Sequence, residues 1–196
     1  MEEATISGVR EALRDHTLTV RQLIQGYLDR IAAYDQHGPC INSIIRLNPQ
    51  ALAEADRIDA ALAGSPQQKM KSLLGVPVLV KVNIKTKELA TSAGSPVLKD
   101  YVPLDDAFIV KRLREAGAIV LAKTNLHELA CGGETVNALI GQTLNPYDLS
   151  RTPGGSSGGP GPVLRPILAC SVSVATASTR YDHRPQRTTR WACVRR

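Results

Sequence analysis

Two short apolar runs, Val76–Val82 and Ala118–Ala122, restrict the fold of this chain more than any other feature of it. Both are rich in β-branched residues and lack polar alternation, the pattern of strands buried on both faces. Phe108–Ala116, between them, repeats its apolar residues at helical spacing. Strand, helix and strand therefore follow in order and predict an α/β architecture. Upstream, Thr19-Val20-Arg21-Gln22 has the form of a capping box, and Leu23, Ile24, Tyr27, Leu28 and Ile31 recur at three-four spacing. That predicts an amphipathic helix from about 20 to 34, with a shorter helix before it. Ile41–Arg46 reads as a strand, Asn48-Pro49 opens a helix through Leu52, Ala55, Ile58 and Leu62, and Ser65–Lys71 is a polar connection.

The chain has 196 residues, enough for one domain with a real core. Its net charge of +6 would ordinarily point to nucleic acid or a membrane surface. From Pro160 onward, however, there are seven arginines against one acid, Asp182, so residues 1–159 are formally neutral and the whole excess lies in the tail. There the composition turns to Pro, Arg, Ser and Thr without a sustained period, which divides the chain into a folded part, 1–159, and a basic tail, 160–196, expected to be disordered. No stretch has the length of a membrane span, and the N-terminus starts with Glu2 and Glu3 instead of a basic region. No membrane association is expected and the default location is cytoplasmic. Cysteines 40, 131, 170 and 193 and His16, His37, His127 and His183 are scattered, so neither a metal nor a cofactor is expected.

Taken alone, Pro153-Gly154-Gly155-Ser156-Ser157-Gly158-Gly159 reads as a flexible linker, and Lys81 as a solvated strand end. Together with Gly75–Ile84, Ala122–Glu128 and Asn145–Asp148, the loop makes four motifs in order that resemble the amidase signature family of serine hydrolases. An amide is a poor electrophile with a poor leaving group, so its hydrolysis needs an activated nucleophile, an acid for the departing amine and donors for the oxyanion. The resemblance implies the front part of an α/β/α fold, a mixed central sheet flanked by helices, left incomplete. It also implies that Lys81 is the base, which must be neutral to act. Ser156, on a cis peptide, would relay protons between Lys81 and a later nucleophilic serine, with Ser157 as its structural neighbour. Gly154, Gly155, Gly158 and Gly159 would let the loop backbone approach a substrate closely. Lys123, Thr124, Asn125 and Glu128 fit the family pattern and are expected to be structural. His127 is expected on the surface or in packing, since the resemblance supplies lysine as the base.

The implied activity is hydrolysis of non-peptide carbon–nitrogen bonds in a small-molecule amide. A second reading within the family is the glutamine-dependent amidotransferase component that releases ammonia from glutamine to amidate charged transfer RNA. Neither reading settles an oligomeric state.

The chain departs from the family at position 180, where the pattern expects the nucleophilic serine and Arg180 stands instead. Reading the degenerate codons of the tail with one base moved completes the loop as S-G-A at 160–162. The same shift turns 172–185 into G-I-G-S-D-S-V-N-S-I-R-S-P-A, with a serine at 180. It also allows L-R-P-T at 193–196. The tail thus reads as an out-of-frame translation, and the chain as an amidase-type protein without its nucleophile and inactive as given. A noncatalytic role, in which the arginines bind phosphates while Trp191 or Tyr181 stacks on bases, is the disfavoured alternative. Without rear strands, Val76–Val82 and Ala118–Ala122 are expected to lack neighbours, leaving a poorly stable fragment.

Overall fold

A computed structural model describes residues 5–64, 71–160 and the backbone of 172–174. Helix α1, Ile6–Arg14, is capped by Thr5, and α2, Val20–Ile31, carries the complete capping box of Thr19 and Gln22. The helix predicted to about residue 34 ends at Ile31 and continues as a wider π-helical turn, Ala32–Gln36. That turn brings the Asp35 carboxylate inside, where it accepts from the Ser43 and Ile44 backbone N–H groups and from the Ser43 hydroxyl. Burial pushes the Asp35 carboxyl above its usual range, against the lowering effect of those bonds. The same contacts delay the next strand: β1 is Ile44–Leu47 and not Ile41–Arg46, because residues 41 to 43 spend their N–H groups on Tyr34 and Asp35.

Helix α3 spans Ala51–Gly64, β2 Pro77–Lys81, α4 Phe108–Glu115 and β3 Ile119–Thr124. Two short strands, β4 Val136–Asn137 and β5 Gly141–Gln142, pair as a hairpin, and β6 is Val172–Val174. The main sheet runs in the order β1-β3-β2-β6, with β1 antiparallel to β3 and with β2 parallel to both β3 and β6. The expectation that Val76–Val82 would stand without neighbours is corrected by this pairing: β2 has a strand on either side. One of them lies beyond Gly159, in the segment for which composition suggested no structure.

Every residue of β2 and β3 is buried, because both faces of the sheet are covered. Leu79, Ile119, Leu121 and Ala122 pack with α1, α2 and α3, while Val78, Val80 and Val120 pack with Val110 of α4 and with Ile84 and Leu89. Leu121 and Ala122 are consecutive yet share a face, the signature of the register shift between β2 and β3. The irregularity pairs Val80 with Lys123 on the α4 face and Lys81 with Thr124 on the other.

Candidate active site

Ligand sites of open α/β sheets lie beyond the carboxyl ends of parallel strands, and Lys81 is the last residue of β2. Its side chain is fully buried, not a solvated strand end. The Nζ donates to Ser156 Oγ at 3.0 Å and to Ser157 Oγ at 2.7 Å. With hydroxyls around it and no carboxylate among its hydrogen-bond partners, burial lowers the Lys81 amine to about 8. Two segments far apart in sequence thus meet at one nitrogen, which becomes neutral within a unit or so of physiological pH.

The Gly-Ser loop is held in place and is no linker. Its Gly155–Ser156 peptide is cis. The Ser156 carbonyl accepts from the His127 N–H at 3.0 Å, which ties the loop to the segment after β3. Thr135 supplies a second tie: its hydroxyl donates to the Gly154 carbonyl at 2.6 Å and accepts from the Gly158 N–H at 2.9 Å. Side chains at three of the loop's glycines would have no room. A Cβ on Gly159 would meet the Asn125 carbonyl oxygen at 2.3 Å, and one on Gly158 would meet Thr135 Oγ1 at 2.2 Å. Gly154, at φ +84°, meets no such obstacle, and its carbonyl is the acceptor for Thr135. Gly155 crosses Gly133 and Thr135, to which a Cβ would come within 2.9 Å.

Asn125 and Asn137 form the floor under this loop. Asn125 donates to Thr143 Oγ1 at 2.8 Å and to the Asn42 carbonyl at 3.2 Å, while its own Oδ1 accepts from the Leu126 N–H and from Asn137. The β4–β5 hairpin is thereby locked to the end of β3.

Lys123, one residue before the end of β3, is also fully buried, on the other face. It donates to the Ile84 carbonyl and to the Thr86 and Thr91 hydroxyls, clasping the segment that follows Lys81. Burial lowers its amine to about 7, with Asp106 acting in the opposite direction. His127 does not aim at Ser156: its Nδ1 accepts from the Glu134 N–H at 3.3 Å and its ring packs on Gly132. Glu128 accepts from the Ala138 N–H, a loop contact. Of the residues that hold the site, Thr135 was not legible in advance, since a lone threonine between Glu134 and Val136 carries no periodic signal.

Among the described residues no group of three or more His, Cys, Asp or Glu side chains could hold a metal ion, and no helix is long and apolar enough to cross a membrane. Cys40 and Cys131 are free and exposed. Position 180 and the arginines beyond it lie outside the described residues.

Comparison with known proteins gives the arrangement its context. A glutamyl-tRNA(Gln) amidotransferase chain of Alkaliphilus metalliredigens is 43% identical over 160 residues, covering 81% of this chain and 32% of its own. Its counterpart in Coxiella burnetii strain RSA 493, another glutamyl-tRNA(Gln) amidotransferase chain, is 40% identical over 160 residues, covering 81% of this chain and 32% of that protein. The native peptide amidase of Stenotrophomonas maltophilia superposes with a TM-score of 0.78 at 41% identity, covering 83% of this chain and 34% of that one. This chain therefore spans about a third of the length of the curated relatives it matches. The sequence profile of the amidase family matches residues 22–173, which takes in the buried lysine, the cis Gly155–Ser156 loop and the start of β6, and on that breadth of agreement the chain belongs to the amidase family.

Proposed function

We propose that residues 1–159 carry the base and the proton relay of an amide-hydrolysing centre, and that the chain as given lacks the nucleophile. The observation that carries this reading is the fully buried Lys81 amine bonded to Ser156 Oγ at 3.0 Å. In the neutral form Lys81 takes a proton from Ser156, and Ser156 in turn takes one from the attacking serine. When the amine product departs, the protons travel back by the same route. Ser157, also bonded to Lys81, holds the amine in line, and Gly154, Gly155, Gly158 and Gly159 keep the loop close to the substrate.

The nucleophile belongs at position 180, where Arg180 stands and no proton can be relayed to an attacking oxygen. We read the tail from Pro160 as an out-of-frame translation, so that its arginines reflect codon content and nucleic acid is not the partner. The substrate class is a small-molecule amide. A second reading, an amidotransferase component that frees ammonia from glutamine, is favoured by the glutamyl-tRNA(Gln) amidotransferase relatives from Alkaliphilus and Coxiella.

Sequencing the gene and transcript across the Gly159 codon, followed by parallel assay of the given chain and a version with the shifted frame restored, tests the proposal. Ammonia release from amides or glutamine by the restored protein alone, abolished by Lys81→Ala and by Ser156→Ala, is expected. Equal turnover by the given chain would overturn the assignment of the nucleophile. Restored protein that keeps full activity with Lys81→Ala would overturn the base.

A further inference from the structure

The Lys81 nitrogen is fully buried and has two hydrogen-bond partners, Ser156 Oγ and Ser157 Oγ. A lysine nitrogen has three polar positions in either state: an ammonium donates three times, and a neutral amine donates twice and accepts once. One position on Lys81 is therefore open.

Its neighbour across the sheet is Thr124. The parallel strands pair Lys81 with Thr124 in the same register that pairs Leu79 with Ala122, and both members of that second pair pack on the same face. Neighbouring strands lie about 4.8 Å apart, so paired side chains on one face are within reach of a single bridging molecule. Thr124 is fully buried and its Oγ1 has no hydrogen-bond partner. Among the described residues only two buried side-chain oxygens are in that condition, Thr124 Oγ1 and Asn83 Oδ1, and both flank Lys81, one across the sheet and one two residues along the chain. A hydroxyl buried without a partner is costly, and native interiors satisfy such groups with ordered water.

We infer that Thr124 is a positioning residue for Lys81, its hydroxyl completing the hydrogen bonding of the amine through one bound water and aiming that amine at Ser156. The inference rests on the reading of Lys81 as the base of the centre. No covalent step is involved: the water accepts from the ammonium or donates to the neutral amine, and Thr124 takes its other side. Because an ammonium donates all three protons in charge-assisted bonds, it loses more than the neutral amine when the third partner goes.

The test uses the full chain labelled with carbon-13 at the lysine ε-carbons, with Lys81 and Lys123 titrated by NMR in the parent, Thr124→Val, Thr124→Ser and Asn83→Ala. In Thr124→Val the proton affinity of Lys81 is expected to fall by about 3- to 10-fold, the worth of one net hydrogen bond. Thr124→Ser restores it, and the Lys123 titration stays in place as the sign of an intact fold. An unchanged Lys81 titration in Thr124→Val, or a change produced by Asn83→Ala alone, would overturn the assignment to Thr124. A crystal structure of the parent chain gives a measurement independent of any variant, with density for a water between Lys81 Nζ and Thr124 Oγ1 expected and a dry gap contradicting it. A parent Lys81 titrating at the ordinary lysine value would instead sink the reading of Lys81 as the base, whatever Thr124 does.

Discussion

Lys81 Nζ lies 3.0 Å from Ser156 Oγ, although the two residues are 75 apart in the chain and neither is exposed. The contact forms because β2 ends at the sheet's carboxyl edge and because the Gly-Ser loop crosses that edge under the grip of Thr135 and the His127 backbone. Both a strand and a loop must be in place before either side chain has a partner.

The amine of Lys81 is held at a cost. At pH 7 it is protonated inside the protein with hydroxyls as its hydrogen-bond partners, so Lys81→Met should stabilise the chain by an amount on the order of 1 kcal/mol, about 2–4 °C in Tm. Thermal melts at pH 7 check this. A lower Tm would mean that the lysine supports the fold.

Stability should climb with pH on the alkaline side. Both Lys81, lowered to about 8, and Lys123, lowered to about 7, bind protons less tightly when folded than the ordinary lysine at 10.5. Between about pH 7 and pH 10.5 the unfolded chain therefore binds more protons, so the free energy of unfolding rises through that window and levels off above it. Chemical denaturation at a series of pH values should show the rise, and Lys81→Met and Lys123→Met should each flatten part of it. A profile identical in all three proteins would contradict the burial of these amines.

Gly159→Ala should dislodge the serine loop. The new methyl would stand 2.3 Å from the Asn125 carbonyl oxygen, on backbone that the Asn125 side-chain network holds still. A loss of about 1–3 kcal/mol is expected. Amine-reagent labelling read by mass spectrometry should show Lys81 newly accessible in this variant and protected in the parent.

Thr135→Val removes a hydroxyl that serves both Gly154 and Gly158, at a cost of about 1–3 kcal/mol for the groups left unpaired. Thr135→Ser should recover most of it. Equal stability of the valine and serine variants in urea titrations would show that the side-chain bonds carry none of the loop's order.

Much of the fold was legible because it rests on local pattern. The capping box at Thr19, the apolar runs of β2 and β3 and the helical spacing of α4 each appear within a few residues of their predicted places. The departures have non-local causes. Helix α2 gives way to a π turn because Asp35 is drawn in to satisfy Ser43 and Ile44, and β1 starts late because residues 41 to 43 have already spent their N–H groups on Tyr34 and Asp35. β6 was missed because three residues that gain order only by lying beside β2 carry too short a pattern to read alone.

The order of the motifs, and with it the family, was determined by the sequence itself, since a glycine-serine loop and an apolar run ending in lysine are features of residue type and spacing. That residue 180 is an arginine is likewise plain in the sequence. Tertiary structure alone decided that Lys81 is buried against hydroxyls and that Lys123 points to the opposite face. It also decided that Thr124 stands beside Lys81 with an unspent oxygen. The reason is the register shift between β2 and β3: one irregularity in pairing reverses which face each later side chain takes, and no pattern of residue types along a single strand records its neighbour's register.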